Sequence, residues 1–224
     1  MMEWLDYLPP LLKGAWVTAQ LAAGSTVLGG LLAFAFGIGR VAPYQAIRAV
    51  STAIIEFFRG TSLLVQLFWL YFALPLLGQS LGVDLRLPPV AAGVLALSLN
   101  IGAYGAEVVR GALQAVPHEQ REAAQALDFT PRQILWRISL PQAIPEMLPS
   151  FGNLAVQNLK DTALVSLVGL GDLALRAEQI RNITQDNTTV YTLLLLMYFG
   201  MALVVTLLMK LLERSTGRWR GQGA

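Results

Sequence analysis

Residues 122–141 read EAAQALDFTPRQILWRISLP, a polar and helix-forming stretch that lies between two very apolar segments. Thr130 can cap the amino terminus of a helix with its hydroxyl, Pro131 suits the first helical position, and Gln133 completes a capping box. We expect that helix to end before Pro141, because a proline disfavours helical geometry in the residue that precedes it.

A shorter helix is expected just before this one, over about residues 119–127, with a turn at Asp128. Aspartate adopts the left-handed backbone conformation more readily than most residues, so Asp128 can make a turn that glycine would otherwise make. The sequence therefore predicts a helix–turn–helix hairpin within residues 116–141.

The composition places this hairpin in a membrane protein. Hydrophobic residues make up 55% of the chain and charged residues 13%, whereas soluble domains carry about 25% charged residues. There is no cysteine and one histidine, His118, which argues against thiolate metal sites and the usual nucleophile–base sets of hydrolases. A nucleotide-binding loop requires a glycine followed by a lysine, and no lysine of this chain follows a glycine. We expect one all-α membrane domain over residues 1–224, which is not an enzyme and holds no metal.

Several runs reach the ~20 apolar residues with which a helix crosses a bilayer. We predict five transmembrane helices, at about 12–38, 54–77, 88–110, 143–170 and 190–212. Basic residues collect in the loop after the first span, around the hairpin, and at the carboxyl end, where they are Lys210, Arg214, Arg218 and Arg220. Because positive residues gather on the cytoplasmic side, we expect the amino terminus to face out and the hairpin and carboxyl terminus to face in.

Two acid–base pairs near the cytoplasmic side are expected to be structural. Glu56 and Arg59 are three residues apart, as are Glu107 and Arg110, so each pair can neutralise itself on one helix face. A small-residue stripe in the first span has the spacing that lets another helix approach closely, and we expect packing inside the chain. Its members are Gly29, Ala33 and Gly37.

The fourth span is the least apolar and is the candidate pathway or gate. One helical stripe carries its polar residues: Asn153, Gln157 and Lys160, with Asp161 at its edge. Ionisable residues inside a bilayer are unfavourable unless paired or hydrated, so they mark pathways by default. Pro145 and Pro149 are expected to break the backbone near the entry of the span, as where a pore is lined. Purely structural packing is the alternative.

The hairpin resembles the cytoplasmic signature of bacterial ABC importer permeases. The signature positions are occupied by Glu122, Ala123, Ala124, Ile138, Leu140 and Pro141. Asp128 and Glu119 stand where that family commonly has glycine. In the family this loop docks into a separate ATP-hydrolysing subunit. The resemblance therefore implies ATPase-coupling roles for Glu119, Glu122, Ala123, Ala124, Asp128 and Arg132.

The resemblance covers nearly the whole chain and narrows to the polar amino-acid branch of the family. It is carried by Arg59-Gly60-Thr61, by Tyr104 with Glu107, Arg110 and Gly111, and by the string LKDTALVS at 159–166. That string most resembles permeases for histidine, lysine, arginine, ornithine or opines. The implied solute is a basic amino acid; a permease of the glutamine/glutamate type is the alternative.

The resemblance also implies the type I ABC importer permease fold in a bacterial inner membrane, with a periplasmic amino terminus and a cytoplasmic carboxyl terminus. The implied partners are a dimer of ATP-binding subunits, a second, homologous and non-identical permease, a periplasmic solute-binding protein and the lipid bilayer. ATP and Mg would be held by the partner ATPase, with no cofactor in this chain and no nucleic-acid partner. A stand-alone secondary transporter and a membrane-bound enzyme are less favoured alternatives.

Overall fold

The computed structural model describes residues 4–217, and the regular secondary structure in this range is helical. The α-helices are α1 Leu8–Arg40, α2 Gln45–Gly60, α3 Leu63–Ser80, α4 Pro89–Ala115, α5 His118–Ala126, α6 131–161, α7 Leu173–Thr184 and α8 Asn187–Gly217. The π-helical segments Trp69–Ala73 and Leu135–Ser139 lie within α3 and α6, and the 3-10 segments Trp4–Tyr7 and Thr162–Val168 precede α1 and follow α6. Arg218 and Arg220 lie outside the described residues.

Four of these helical stretches are long and apolar enough to cross a membrane by length and composition: Trp4–Arg40, Leu63–Ser80, Pro89–Ala115 and Asn187–Thr216. They correspond to the first, second, third and fifth predicted spans. The predicted fourth span is helical as well, but its prolines and polar residues leave it less apolar than these four. No residue in the most apolar window of α8 is fully buried within the chain. One side of α8 packs against the core through Leu194, Met197 and Met201, while Leu196, Phe199 and Leu203 are exposed.

The predicted start of the second span at residue 54 is wrong. Residue 54 lies inside the separate helix α2, and the backbone is extended at Thr61 and Ser62 before α3 begins. The Gln66 side chain donates hydrogen bonds to the carbonyl oxygens of Phe58 and Thr61, at 2.9 and 3.2 Å. These bonds satisfy carbonyls that the interrupted helix leaves free, which explains how the break is stabilised.

The predicted helix end before Pro141 is also wrong. The chain widens into a π-helical segment, in which the Leu140 N–H donates to the Leu135 carbonyl five residues back. Pro141 has no N–H to donate, and it stands at the start of the α-helical part Leu140–Asp161. Pro145 and Pro149 lie inside this helix without interrupting it, so the expected backbone break is absent there.

Close helix packing builds the core. A Cβ on Gly37 of α1 would lie 2.6 Å from the Val109 Cβ of α4, which is closer than real side chains approach. Gly29 meets the same helix at Ser98 and Ile101. The small-residue stripe therefore packs inside the chain, as predicted.

Candidate functional site

The turn of the hairpin has the geometry that the sequence predicts. Asp128 adopts a left-handed backbone conformation with φ of 58°. Its N–H donates to the Gln125 carbonyl at 2.9 Å, and the Phe129 N–H donates to the Ala124 carbonyl at 3.1 Å. These bonds satisfy the last carbonyls of α5. An aspartate thus makes the turn that a glycine makes more readily.

The second limb of the hairpin begins with the predicted capping box. The Thr130 N–H donates to the Gln133 side-chain oxygen at 2.8 Å, and the Gln133 N–H donates to the Thr130 hydroxyl oxygen at 3.4 Å. Two amides that would otherwise lack partners are satisfied reciprocally. The entry of the chain into α6 is therefore fixed immediately after the turn.

The predicted coupling residues do not all face the same way. The exposed ones are Glu119, Glu122, Ala123, Asp128 and Arg132. Glu122 lies 3.1 Å from Nδ1 of His118 on the same helix. Ala124 is buried, so its side chain packs within the chain and only the other five can contact a partner directly.

An arginine that the sequence reading passed over fastens the hairpin to the bundle. The Arg121 guanidinium donates from Nη2 to the carbonyl oxygens of Val116, at 2.8 Å, and Gln114, at 3.4 Å. Both carbonyls lie at the carboxyl end of α4, where cationic side chains are favoured by unpaired carbonyls and by the helix dipole. The position of Arg121 just after the third span was the available signal.

Arg40 joins the two predicted ion pairs into one network. Glu107 pairs with Arg110 at 2.9 Å and Glu56 with Arg59 at 3.6 Å, as expected. The Arg40 guanidinium, at the end of α1, contacts Glu107 and lies 3.5 Å from Glu56. The network therefore ties α1, α2 and α4 together. The residues are far apart in sequence, so helix spacing alone could not reveal it.

The network reaches the hairpin through α4. Nη1 of Arg110 donates to the Gln114 side-chain oxygen at 2.6 Å, and the Gln114 backbone carbonyl accepts from Arg121. Polar contacts thus run from the ends of α1 and α2 to α5, the first helix of the hairpin.

The polar stripe of α6 faces away from the core. Asn153, Gln157 and Lys160 are exposed, and Asp161 is half-buried. The Asp161 carboxylate interacts with the side chain of Gln157 and with the charge of Lys160. The structure thus groups the four predicted pathway residues on one surface, which within this chain is left for water, solute or another subunit to cover.

Asn158, which neighbours this stripe on α6, faces the core instead. Asn158 is buried, and its Nδ2 donates to the hydroxyl oxygens of Ser25, at 2.7 Å, and Thr26, at 3.0 Å, on α1. Buried amides need such partners. Asn158 therefore anchors α6 to α1, a role that the sequence reading missed because Asn158 lies off the exposed stripe.

A second buried polar group lies where α7 begins. Asp172 is fully buried, and its Oδ1 accepts from the Leu175 N–H at 3.0 Å as an N-cap. Burial raises the pKa of Asp172 to about 6, although backbone hydrogen bonds oppose the shift. The adjacent Leu173 N–H donates to the Thr18 hydroxyl at 3.1 Å. This cap thereby fixes α7 against α1.

Comparison with known proteins finds similarity to membrane components of transport systems. The family described as binding-protein-dependent transport system inner membrane component matches residues 21–218. A probable amino-acid ABC transporter permease protein of Sinorhizobium fredii, y4tF, is 62% identical over 98% of this chain and 92% of its own length. A second such protein of that organism, y4tG, is 35% identical over 94% of this chain and 87% of its own length.

Among solved structures, the crystal structure of an amino acid ABC transporter with histidines matches with a TM-score of 0.84 and 32% identity, covering 96% of this chain and 99% of that chain. The match therefore covers nearly the whole of both chains. The chain belongs to the family of binding-protein-dependent transport system inner membrane components.

Proposed function

We propose that the chain is a permease subunit of an ATP-driven amino-acid importer and that its hairpin receives the motion of a partner ATPase. The observation that carries the proposal is the hairpin itself. Its exposed face carries Glu119, Glu122 and Ala123, while Arg121 holds its base on the end of α4. A rigid element with a free polar face is what docking to a second protein requires.

The proposed topology has five membrane crossings in the type I importer permease fold. The fourth is formed by residues 140–168, whose exposed polar stripe would face a solute path and not lipid. Arg48, near the start of α2, and the hairpin arginines Arg121 and Arg132 line one cavity, described below. Because positive residues favour the cytoplasmic side, that end is assigned to the cytoplasm and the amino terminus to the periplasm of a bacterial inner membrane.

The proposed assembly contains a dimer of ATP-binding subunits, a second permease and a periplasmic solute-binding protein. ATP and Mg would be held by the ATP-binding subunits. The two Sinorhizobium fredii proteins, which match this chain at 62% and 35% identity, support a non-identical second permease, since one organism carries two distinct relatives. The unburied apolar surface of α8 is available to lipid and to such a subunit.

The proposed coupling route uses the contacts described above. Movement of α5 passes through Arg121 to the end of α4, then through Gln114 and Arg110 to Glu107 and Arg40. α1 in turn holds α6 through the Asn158 hydrogen bonds. The helix that carries the polar stripe is therefore mechanically connected to the docking helix by two anchors on α1.

The proposed solute is a basic amino acid, with Asp161 as the acidic group on the exposed stripe of α6. Relatives at 29–33% identity are named for transport of cystine, glutamine and arginine, and the solved transporter at 32% identity is described with histidines. Support for a basic solute thus comes from the histidine and arginine systems. A polar or acidic amino acid of the glutamine type is the second candidate.

The first test is topological and exploits the absence of native cysteine. Single cysteines are introduced as Glu119→Cys in the hairpin and Asp84→Cys in the α3–α4 loop, where the side chain is 78% exposed. In intact cells a membrane-impermeant maleimide should label the Asp84→Cys protein alone, and permeabilisation should expose the Glu119→Cys protein. Labelling of the hairpin from outside would refute the proposal.

The second test concerns docking and solute. Glu122→Lys reverses a charge on the exposed face of α5 and should reduce co-purification of the ATP-binding subunits. Arg214→Glu, a charge reversal at an exposed site near the end of α8, serves as the matched control.

Uptake by the assembled transporter is then measured in competition with arginine, histidine and glutamine. Competition by glutamine alone would replace the basic solute by the second candidate.

A further inference from the structure

A cavity of about 760 Å³ lies between the base of the hairpin and the loop that joins α1 to α2. This volume is within the ~300–1,000 Å³ of small-molecule sites. One wall is the start of α6, including its π-helical segment at Leu135 and Ser139. Such segments occur frequently at functional sites because they redirect side chains and carbonyls.

The charge of the cavity has one sign. Arg48 of α2, Arg121 of α5 and Arg132 of α6 line it, and the described lining residues include no carboxylate. The Arg48 guanidinium makes one long hydrogen bond, 3.4 Å, to the Ala42 carbonyl. Arg121 is engaged with backbone carbonyls through Nη2, but its buried Nε has no hydrogen-bond partner. The cavity therefore offers an anion the exposed guanidinium groups of Arg48 and Arg132, together with the positive charge of Arg121.

The remainder of the lining is mostly apolar and includes Ile38, Leu113, Ile134 and Leu135. A free inorganic anion would gain little from such walls, whereas an amphiphile would use both the arginines and the apolar surface. The face of α5 proposed to dock the ATPase, with Glu119 and Glu122, does not line the cavity. The cavity is therefore distinct from this acidic face of α5, although Arg132, one of the predicted coupling residues, lines it.

We propose that this cavity binds the headgroup of an acidic phospholipid of the cytoplasmic leaflet, with its phosphate among the three arginines. Basic pockets between helices on the cytoplasmic side attract anionic lipid headgroups. The inference rests on the proposed function for the orientation of the hairpin. Arg121 also fastens α5 to α4. A phosphate bound to the arginines would therefore reduce the motion of the hairpin relative to α4, and acidic lipid would make the proposed coupling route more rigid.

The test uses the assembled transporter in nanodiscs of phosphatidylcholine, titrated with phosphatidylglycerol of the same chain length and followed by native mass spectrometry. Each arginine near an anionic lipid contributes roughly a fivefold change in affinity. We expect roughly fivefold weaker phosphatidylglycerol binding for Arg48→Gln and roughly 25-fold for Arg48→Gln with Arg132→Gln. Arg137→Gln is the matched control, because Arg137 is exposed on the same segment but does not line the cavity.

A second readout follows the hairpin. Phosphatidylglycerol should slow hydrogen exchange of the 118–134 amides in the unsubstituted transporter and in Arg137→Gln, and should not do so in the double variant. Equal loss of binding in Arg137→Gln would overturn the proposal, because surface charge alone would then explain it. Equal protection by inorganic phosphate in phosphatidylcholine nanodiscs would also overturn it, in favour of a free anion.

Two outcomes separate this inference from the proposed function. If Arg48→Gln loses the ATP-binding subunits and keeps its phosphatidylglycerol affinity, the cavity belongs to the ATPase contact and the lipid site is wrong. If the hairpin is labelled from outside the cell, the proposed function fails before any lipid is measured. If the hairpin is cytoplasmic and the double variant Arg48→Gln with Arg132→Gln binds phosphatidylglycerol as tightly as the unsubstituted transporter, the lipid site is refuted and the proposed function stands.

Discussion

Glu107→Gln should destabilise the transporter much more than Glu56→Gln, although both remove one carboxylate from the same ion network. The Glu107 side chain is 20% exposed and contacts Arg40 and Arg110, whereas the Glu56 side chain is 55% exposed. Removing one partner of a buried ion pair costs about 3–5 kcal/mol. Because Glu107 is partly exposed, we expect about 2–3 kcal/mol. Exposed pairs contribute about 0–1 kcal/mol, which sets the expectation for Glu56.

The assay is thermal unfolding of the assembled transporter in nanodiscs, at low and high salt. For a chain of this size about 1 kcal/mol corresponds to roughly 2–4 °C in Tm. Glu107→Gln should therefore lower Tm by roughly 4–12 °C, and Glu56→Gln by less than about 4 °C. Salt should reduce the smaller shift more, since screening acts mainly on exposed charges.

A double-mutant cycle with Arg40→Gln separates the ion pair from side effects on packing. If Arg40 and Glu107 stabilise the fold through each other, the double variant should be less destabilised than the sum of the single variants, by about 1–3 kcal/mol. Additive shifts, or equal shifts for the two glutamate variants, would refute the assignment of Arg40 as the centre of the network.

Three further predictions concern aspartates. Asp172 has its pKa raised by burial from 3.8 to about 6, so folding disfavours its ionised form: stability should be greatest below about pH 4 and fall until about pH 6, by on the order of 3 kcal/mol. In thermal unfolding against pH, Asp172→Asn should remove that fall and Asp186→Asn, whose carboxyl has a lowered pKa, should leave it; an unchanged profile in Asp172→Asn would contradict this. Asp161→Asn should reduce uptake while co-purification of the partner subunits persists, and normal uptake would remove Asp161 from the pathway. In thermal unfolding, Asp128→Gly should leave the free energy of unfolding unchanged or raise it by up to about 1 kcal/mol, and Asp128→Val should lower it by about 1–2 kcal/mol. Loss of the hairpin in Asp128→Gly would disprove the role of the turn.

The local features were the ones that sequence reasoning could predict. The capping box at Thr130, the turn at Asp128 and the i,i+3 ion pairs depend on neighbours within four residues. The Gly37 contact follows from a spacing that is characteristic of close helix packing. In each case the physical cause lies within one helix or one turn, so its signal is written in consecutive residues.

The errors arose where another part of the chain decides the backbone. Apolar residues stand on both sides of Arg59-Gly60-Thr61-Ser62, so the two segments read as one span. The hydrogen bonds of the Gln66 side chain show how the break between them is stabilised. Pro141 reads as a helix end because a proline disfavours helical geometry in the residue before it, yet the π-helical segment that precedes Pro141 accommodates it. Arg40 and Asn158 were missed because their partners lie on other helices. The Asp172 cap was missed although its partner, Leu175, lies on the same helix.

Under the proposed function, these missed residues would let a bundle with extensive small-residue packing transmit force. Apolar contacts between helices are non-directional and tolerate sliding, whereas hydrogen bonds and ion pairs fix register. Asn158 fixes α6 on α1, and Asp172 caps α7 where Leu173 bonds to Thr18 of α1. Arg40 fixes the end of α1 to α2 and α4. α1 is thus held by directional contacts at three levels. Under the proposed coupling route, motion that enters at the hairpin would move α1 and α6 together. Weakening Arg40 should therefore uncouple ATP hydrolysis from uptake before it dissociates the subunits.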